Sequence, residues 1–214
     1  MIANSKSAFV FATSMEADPF IASVNATQIK KYPWPVYQAT ISDQPMVMII
    51  SGMGMEQAKA ATEFIINNFV VNLIFNCGVA GSLTDEFDIG DIVNITDSLI
   101  FKDGMIQDDV CQLPVHSPGV NGYSDGVLLT VDQPVFNQHE KSKLADIAQL
   151  VDMEGGTVAR VCNQNNITCQ LIKIISDHSI ERNQLKDNLS NVSNILADRT
   201  VSDFICLFSQ EMIA

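Results

Sequence analysis

The sequence predicts one α/β domain spanning residues 1–214, with a mixed, mostly parallel central sheet flanked by helices. Three observations predict it. Compact apolar runs at 8–12, 71–76 and 171–175 have the length of buried strands, and helical patterns at 55–67, 156–163 and 195–212 are interleaved with such runs. Small-residue turns follow the apolar strands at 46–50 and 71–76, at 51–54 and 77–82. A chain of 214 residues, 47% hydrophobic and only 17% charged, can bury a sizeable core.

In chain order, the run at 8–12 is the first strand, and a helix begins near Asp18-Pro19, an N-cap followed by proline at the first helical position. Glu16 precedes that cap, in the loop at the strand's carboxyl end. Strands at 36–41 and 46–50 flank Ser42-Asp43-Gln44-Pro45 as a hairpin. Ser51-Gly52-Met53-Gly54 then opens a helix, but a third glycine and a downstream ribose-binding acid are missing, so no dinucleotide cofactor is expected. The strand at 71–76 ends in the turn Cys77-Gly78-Val79-Ala80-Gly81-Ser82, and a further strand runs from Ile89 to about Ile100. Residues 102–125 are polar and rich in turn formers, which predicts a functional loop or lid. A short strand at 128–131 leads through Asp132-Gln133-Pro134 to Val135-Phe136 and a charged helix at 138–148.

The most informative stretch is 149–179. Leu150-Val151 ends a strand, Asp152-Met153-Glu154 forms a corner, and Gly155-Gly156 opens a helix. A second buried strand, 171–175, stops at Ser176-Asp177. Ligands of open α/β sheets bind outside the carboxyl ends of strands, so Glu154 and Asp177 are candidates for one shared crevice. The structural alternative for Glu154 is a helix N-cap.

Composition excludes several classes of partner. A net charge of −13 without a local basic cluster opposes binding to nucleic acid or anionic membranes. No apolar stretch reaches the length of a membrane span or a signal-peptide core. The five cysteines form no CxxC pair and the three histidines show no metal-ligand spacing, so a reduced, cytoplasmic protein without a metal is expected.

Five short motifs, in order, resemble those of the purine nucleoside phosphorylase and nucleosidase superfamily: Ser51-Gly52-Met53-Gly54-Met55, Asn76 to Leu83, Gly90-Asp91-Ile92-Val93, Val151-Asp152-Met153-Glu154 and Ile175-Ser176-Asp177. Within it the chain is similar to methylthioadenosine/S-adenosylhomocysteine nucleosidases. Thr130 to Val135 with Val151 to Glu154 also resembles hopanoid-associated phosphorylases, and Ala12 to Ala17 resembles futalosine hydrolases. The resemblance implies a nucleoside phosphorylase-like fold, a purine nucleoside as substrate and a homodimer. It implies that Glu154 binds the ribose hydroxyls, that Met153 packs on the sugar, and that Asp177, beside Ser176, protonates or hydrogen-bonds the departing purine at N7. Gly78 and Val79 fall in the family's second turn, and Val135 and Phe136 near its base pocket.

Nucleosidases of this type carry a water-activating carboxylate after the first strand. Direct alignment puts Asp18 at that place, one methylene short, with Glu16 beside it; both remain candidates. Phosphorylases place arginines around a phosphate, and none stands in the first-strand loop or at 77–82; only Lys173 and Arg182 lie near Asp177. Hydrolysis of a nucleoside is therefore the expected activity, with phosphorolysis and catalytically silent nucleoside binding as alternatives.

Overall fold

The computed structural model describes residues 6–113, 123–180 and 182–210. Its elements are β1 (Lys6–Phe11), α1 (Ser14–Ser23), β2 (Thr27–Lys30), β3 (Val36–Ile41), β4 (Gln44–Ile50), α2 (Met55–Asn68), β5 (Val71–Ser82), β6 (Ile92–Lys102), β7 (Met105–Gln112), β8 (Ser124–Val131), α3 (Gln138–Leu144), β9 (Leu150–Asp152), α4 (Gly155–Gln164), β10 (Thr168–Asp177) and α5 (Arg182–Gln210). The expected α/β architecture is present, and all ten strands join one sheet.

The middle of that sheet is parallel, in the order β4-β1-β5-β10. Antiparallel pairing lies to either side: β3 on β4, β2 on β3, β6 on β10, and β7 on β6. The sheet also closes on itself, because β5 pairs with β10 at one flank and with β9 at its carboxyl end, while β6, β8 and β9 complete the circuit. Five strands thus form a small barrel that shares β5 with the open part of the sheet.

Alternation along β1 shows how the layers are filled. Ala8 and Val10 face α2 and α4, packing with Ala58, Ala61, Ile65 and Val158. Phe9 and Phe11 face α1 and α5, among Phe20, Val192, Leu196 and Phe204. The Phe9 ring stacks on Phe75 at 4.8 Å between centroids and meets Phe20 at 4.6 Å. Both faces of the central strands are covered, which is why they read as continuous apolar runs.

Four expectations need correction. Residues 77–82 form no turn; β5 continues through them to Ser82, because β9 and β10 supply backbone partners there. Helix α1 starts at Ser14 with Thr13 as N-cap, and Pro19 lies inside it, so Asp18 caps nothing. Part of the expected loop at 102–125 is ordered: β6 and β7 form a hairpin around Asp103-Gly104, whose φ values of 53° and 78° suit a two-residue turn. The remainder, residues 114–122 with His116, is outside the described residues. The C-terminal helix begins at Arg182, well before the expected Ile195, and Met212 is outside the described residues. The hairpin at β3–β4 is present with the tighter turn Ser42-Asp43, Ile41 pairing Gln44.

Phe9 is fully buried between two layers. Phe9→Ala is therefore expected to lower unfolding free energy by about 3–5 kcal/mol in a urea titration, from lost burial and an unfilled cavity. A loss under about 1 kcal/mol contradicts this placement.

Candidate active site

A cavity of about 160 Å³ opens at the carboxyl ends of the central strands. Glu16, Val79, Val135, Phe136, Met153, Glu154, Ser176 and Asp177 all line it. Two expected residues do not: Asp18 is on the exposed side of α1, and Gly78 lies just behind the wall.

Glu16 stands at the third position of α1, where it completes a capping box. Its Oε2 accepts from Thr13 N at 2.9 Å and Thr13 Oγ1 at 2.7 Å, while Glu16 N donates to Thr13 Oγ1. The pattern Thr13-x-x-Glu16 was legible as that motif. The other oxygen does something a cap does not require. Oε1 accepts from Val79 N at 3.0 Å, across the cavity floor on β5. A Cβ at Gly78 would lie 2.6 Å from this Oε1, so only glycine lets the carboxylate lie against the strand.

Glu154 is the N-cap residue of α4, yet its side chain makes no cap hydrogen bond. Other residues do that job. Gly155 N donates to Asp152 Oδ2 at 2.8 Å and Gly156 N donates to Thr130 Oγ1 at 2.7 Å. A Cβ at Gly155 would come within 2.9 Å of Asp152 Oδ2, and one at Gly156 within 3.0 Å of Thr130 Oγ1, which explains the glycine pair. Relieved of capping, the Glu154 carboxylate turns into the cavity, where Gly54 N donates to Oε1 at 2.6 Å. The Gly52-x-Gly54 motif thus grips a carboxylate of this chain.

Beneath lies a polar group that the sequence reading left unassigned. Lys173, buried in the middle of β10, pairs with Asp152 Oδ2 at 2.8 Å and donates to Asn76 Oδ1 at 2.7 Å. Thr130 Oγ1 donates to Asp152 Oδ1 at 2.5 Å, and Asn76 Nδ2 donates to Val10 O. A lysine inside the apolar run 171–175 was the available signal, since a buried ammonium must have a counter-charge. Burial pushes the Lys173 pKa down, but the charge and hydrogen bond of Asp152 outweigh it, so the net shift is upward.

Asp177 ends β10 with both oxygens occupied: Ser179 N donates to Oδ1 and Ser176 Oγ donates to Oδ2, each at 2.8 Å. Ser176 Oγ is also 3.3 Å from Ala80 O, giving its proton a second acceptor. Leu185 and Leu189 of α5, with Met53 after β4, add apolar wall that sequence reasoning missed. None of the described residues lining the cavity is a lysine or arginine; Lys173 lies beneath it and Arg182 is exposed. Among the described residues no three His, Cys, Asp or Glu side chains are grouped to hold a metal ion, and no helix is long and apolar enough to cross a membrane.

Comparison with known proteins agrees with this fold. The phosphorylase superfamily model matches residues 6–122 and 116–202, and the chain belongs to that superfamily. A 5'-methylthioadenosine/S-adenosylhomocysteine nucleosidase of Staphylococcus aureus (strain MRSA252) is 26% identical over 165 residues, covering 66% of this chain and 72% of the relative. Among solved structures, a Helicobacter pylori nucleosidase of the same name superposes with a TM-score of 0.85 at 21% identity, covering 94% of this chain and 98% of that one. The native futalosine hydrolase of H. pylori superposes equally well, with a TM-score of 0.85 at 21% identity and coverage of 94% and 97%. At that identity both likenesses speak for the fold.

Burial, then the nearby Asp152 charge, raises the Glu154 pKa from 4.5 to about 7, against the opposing pull of Gly54 N–H and Lys173. Between those pH values the folded state holds a proton that the unfolded chain has released, so Glu154 lowers stability as pH rises through the window. Glu154→Gln is expected to gain stability relative to the parent on going from pH 5 to pH 8, by up to about 3 kcal/mol in chemical denaturation. An unchanged difference between the two pH values contradicts this.

Proposed function

We propose that this chain is a purine nucleosidase of the methylthioadenosine/S-adenosylhomocysteine type, which hydrolyses the N-glycosidic bond to free base and sugar. The observation that carries the proposal is the convergence of Glu16, Glu154 and Asp177 on one cavity without a lining cation among the described residues. The names of the relatives, nucleosidases and a hydrolase of this class, support it.

Cleaving this bond builds positive charge on the sugar and negative charge on the base. Glu154, with one oxygen on Gly54 N–H, has lone pairs left to accept from the ribose hydroxyls. Glu16 Oε1 retains a lone pair to accept a proton from the attacking water, and its charge stabilises the sugar cation. Asp177 delivers a proton to purine N7. While Asp177 is protonated, Ser176 Oγ–H turns to Ala80 O; as the carboxylate forms, it turns back to Oδ2. Met153 is the sugar-facing apolar contact, and Val135 and Phe136 flank the base.

Phosphorolysis needs several donors or cations around a dianion. Lys173 is committed to Asp152 and Asn76, and residues 114–122 contain no lysine or arginine. A cytoplasmic homodimer is proposed with this function; buried cysteines without disulfides among the described residues suit a reducing compartment. Sedimentation as a monomer, or recovery in a secreted fraction, contradicts that part.

Incubation with methylthioadenosine, adenosine and inosine is expected to release free base without added phosphate. Release only with phosphate contradicts hydrolysis, and tight binding without release makes the chain a binder. Asp177→Asn and Glu16→Gln are each expected to lower kcat by about 10²–10⁴-fold, with ligand affinity within about tenfold. Asp18→Asn should leave kcat within about twofold; a loss like that of Glu16→Gln would return the water-activating role to Asp18.

A further inference from the structure

Past the end of β10 the chain turns sharply before α5, and the turn brings one more side chain to the cavity. Ser179 lines it together with Asp177 and is only 1% exposed. Its Oγ has no hydrogen-bond partner among the described residues. Buried hydroxyls are ordinarily paired, because an unpaired one has given up water for nothing in return. None of the other described hydroxyls in that condition lines the cavity.

The surroundings hold Ser179 in place. Its N–H donates to Asp177 Oδ1 at 2.8 Å. His178 N donates to Gln184 Oε1 at 2.8 Å and Asn188 Nδ2 donates to Ser176 O at 2.9 Å, which ties the turn to α5. On the facing side β5 makes room, since a Cβ at Gly81 would collide with Ser179 Oγ and lie 3.1 Å from Asp177 Oδ1. The hydroxyl and the carboxylate therefore stand together over the same glycine. Neither backbone nor packing asks for a hydroxyl here. At a φ of 56° Ser179 is in the left-handed region, which glycine adopts with less strain. Glycine or alanine would also leave no buried polar atom to satisfy.

We propose that Ser179 determines base specificity: its Oγ hydrogen-bonds the substituent at C6 of the purine. The proposal rests on the reading that Asp177 meets purine N7. The edge of a purine that carries N7 also carries the C6 substituent, which is an amino donor in adenine and an oxo acceptor in 6-oxopurines. The other neighbour of N7 is C8–H, which offers no comparable hydrogen bond. A hydroxyl beside the acid that serves N7 is thus matched to the C6 side. Serine both donates and accepts, so it serves an amino or an oxo group. An ionised Asp177 only accepts, and an oxo group next to it finds its donor in Ser179.

The test uses carbocyclic nucleosides, in which carbon replaces the ring oxygen of the sugar. No sugar cation forms from them, so they stay intact whether or not the protein is a nucleosidase. Calorimetry gives the Kd of the 6-amino, 6-oxo and 6-unsubstituted purine compounds for the parent and for Ser179→Ala. Each 6-substituted compound that the parent binds should bind Ser179→Ala about five- to tenfold more weakly, the loss that one hydrogen bond accounts for. The 6-unsubstituted compound should stay within about twofold. Ser179→Gly, which suits the backbone, should show the same pattern and replaces the alanine variant if that one fails to fold. A serine with a merely structural role would weaken all three ligands alike or none of them. Either result overturns the proposal, and so does a parent that binds neither 6-substituted compound. A selective loss in a protein that releases no base from natural nucleosides leaves the contact standing and counts against the nucleosidase reading alone.

Discussion

The site depends on the pairing of β5 with three other strands. β1 and β10 run parallel along its flanks, and β9 crosses its carboxyl end antiparallel. The chain that leaves β1 carries Glu16, the chain that leaves β9 carries Glu154, and β10 ends at Asp177. Three acids far apart in sequence therefore meet because one strand hydrogen-bonds to all their carriers. β5 itself contributes Val79 N, which takes Glu16, and the glycines that let the acids come close. Gly81 is an example, since a Cβ there would lie 3.1 Å from Asp177 Oδ1.

Three carboxylates share a partly buried cavity, and a polar network lies beneath it. Asp152, Thr130, Asn76 and Lys173 form a connected set in which each polar head has a partner. A half-satisfied version would be worse than an apolar one. The network also separates two duties that helix starts usually combine. Thr130 and Asp152 satisfy the first N–H groups of α4, so Glu154 keeps its lone pairs for a ligand.

Much of this was legible in the sequence, and the rest was not for identifiable reasons. The parallel centre announced itself through apolar runs, and Glu154 and Asp177 through their places after strand ends. The true length of β5 was hidden, because Cys77-Gly78-Val79-Ala80-Gly81-Ser82 has the composition of a turn. Its strand conformation comes from partners on β9 and β10, a tertiary effect that local propensity does not contain. Asp18 looked like a cap because Asp-Pro is a strong local signal, whereas the capping box Thr13-x-x-Glu16 governs the helix start. Pro19 is carried inside α1. The early start of α5 brings Leu185 and Leu189 to the cavity, and nothing in the spacing of 182–194 marked those two residues as cavity-facing. Lys173 was visible as an oddity in an apolar strand, but its partners, on β5 and β9, become neighbours only when the barrel closes.

The most direct measurement is a crystal structure of this protein with a non-hydrolysable purine nucleoside analogue. The expected result places a Glu154 oxygen about 2.6–3.2 Å from the ribose hydroxyls, Asp177 at the same range from purine N7, and Glu16 on the open face of the anomeric carbon. A ligand bound elsewhere, or one whose purine lies against Glu154 and whose sugar lies against Asp177, would contradict the assignment of the two acids.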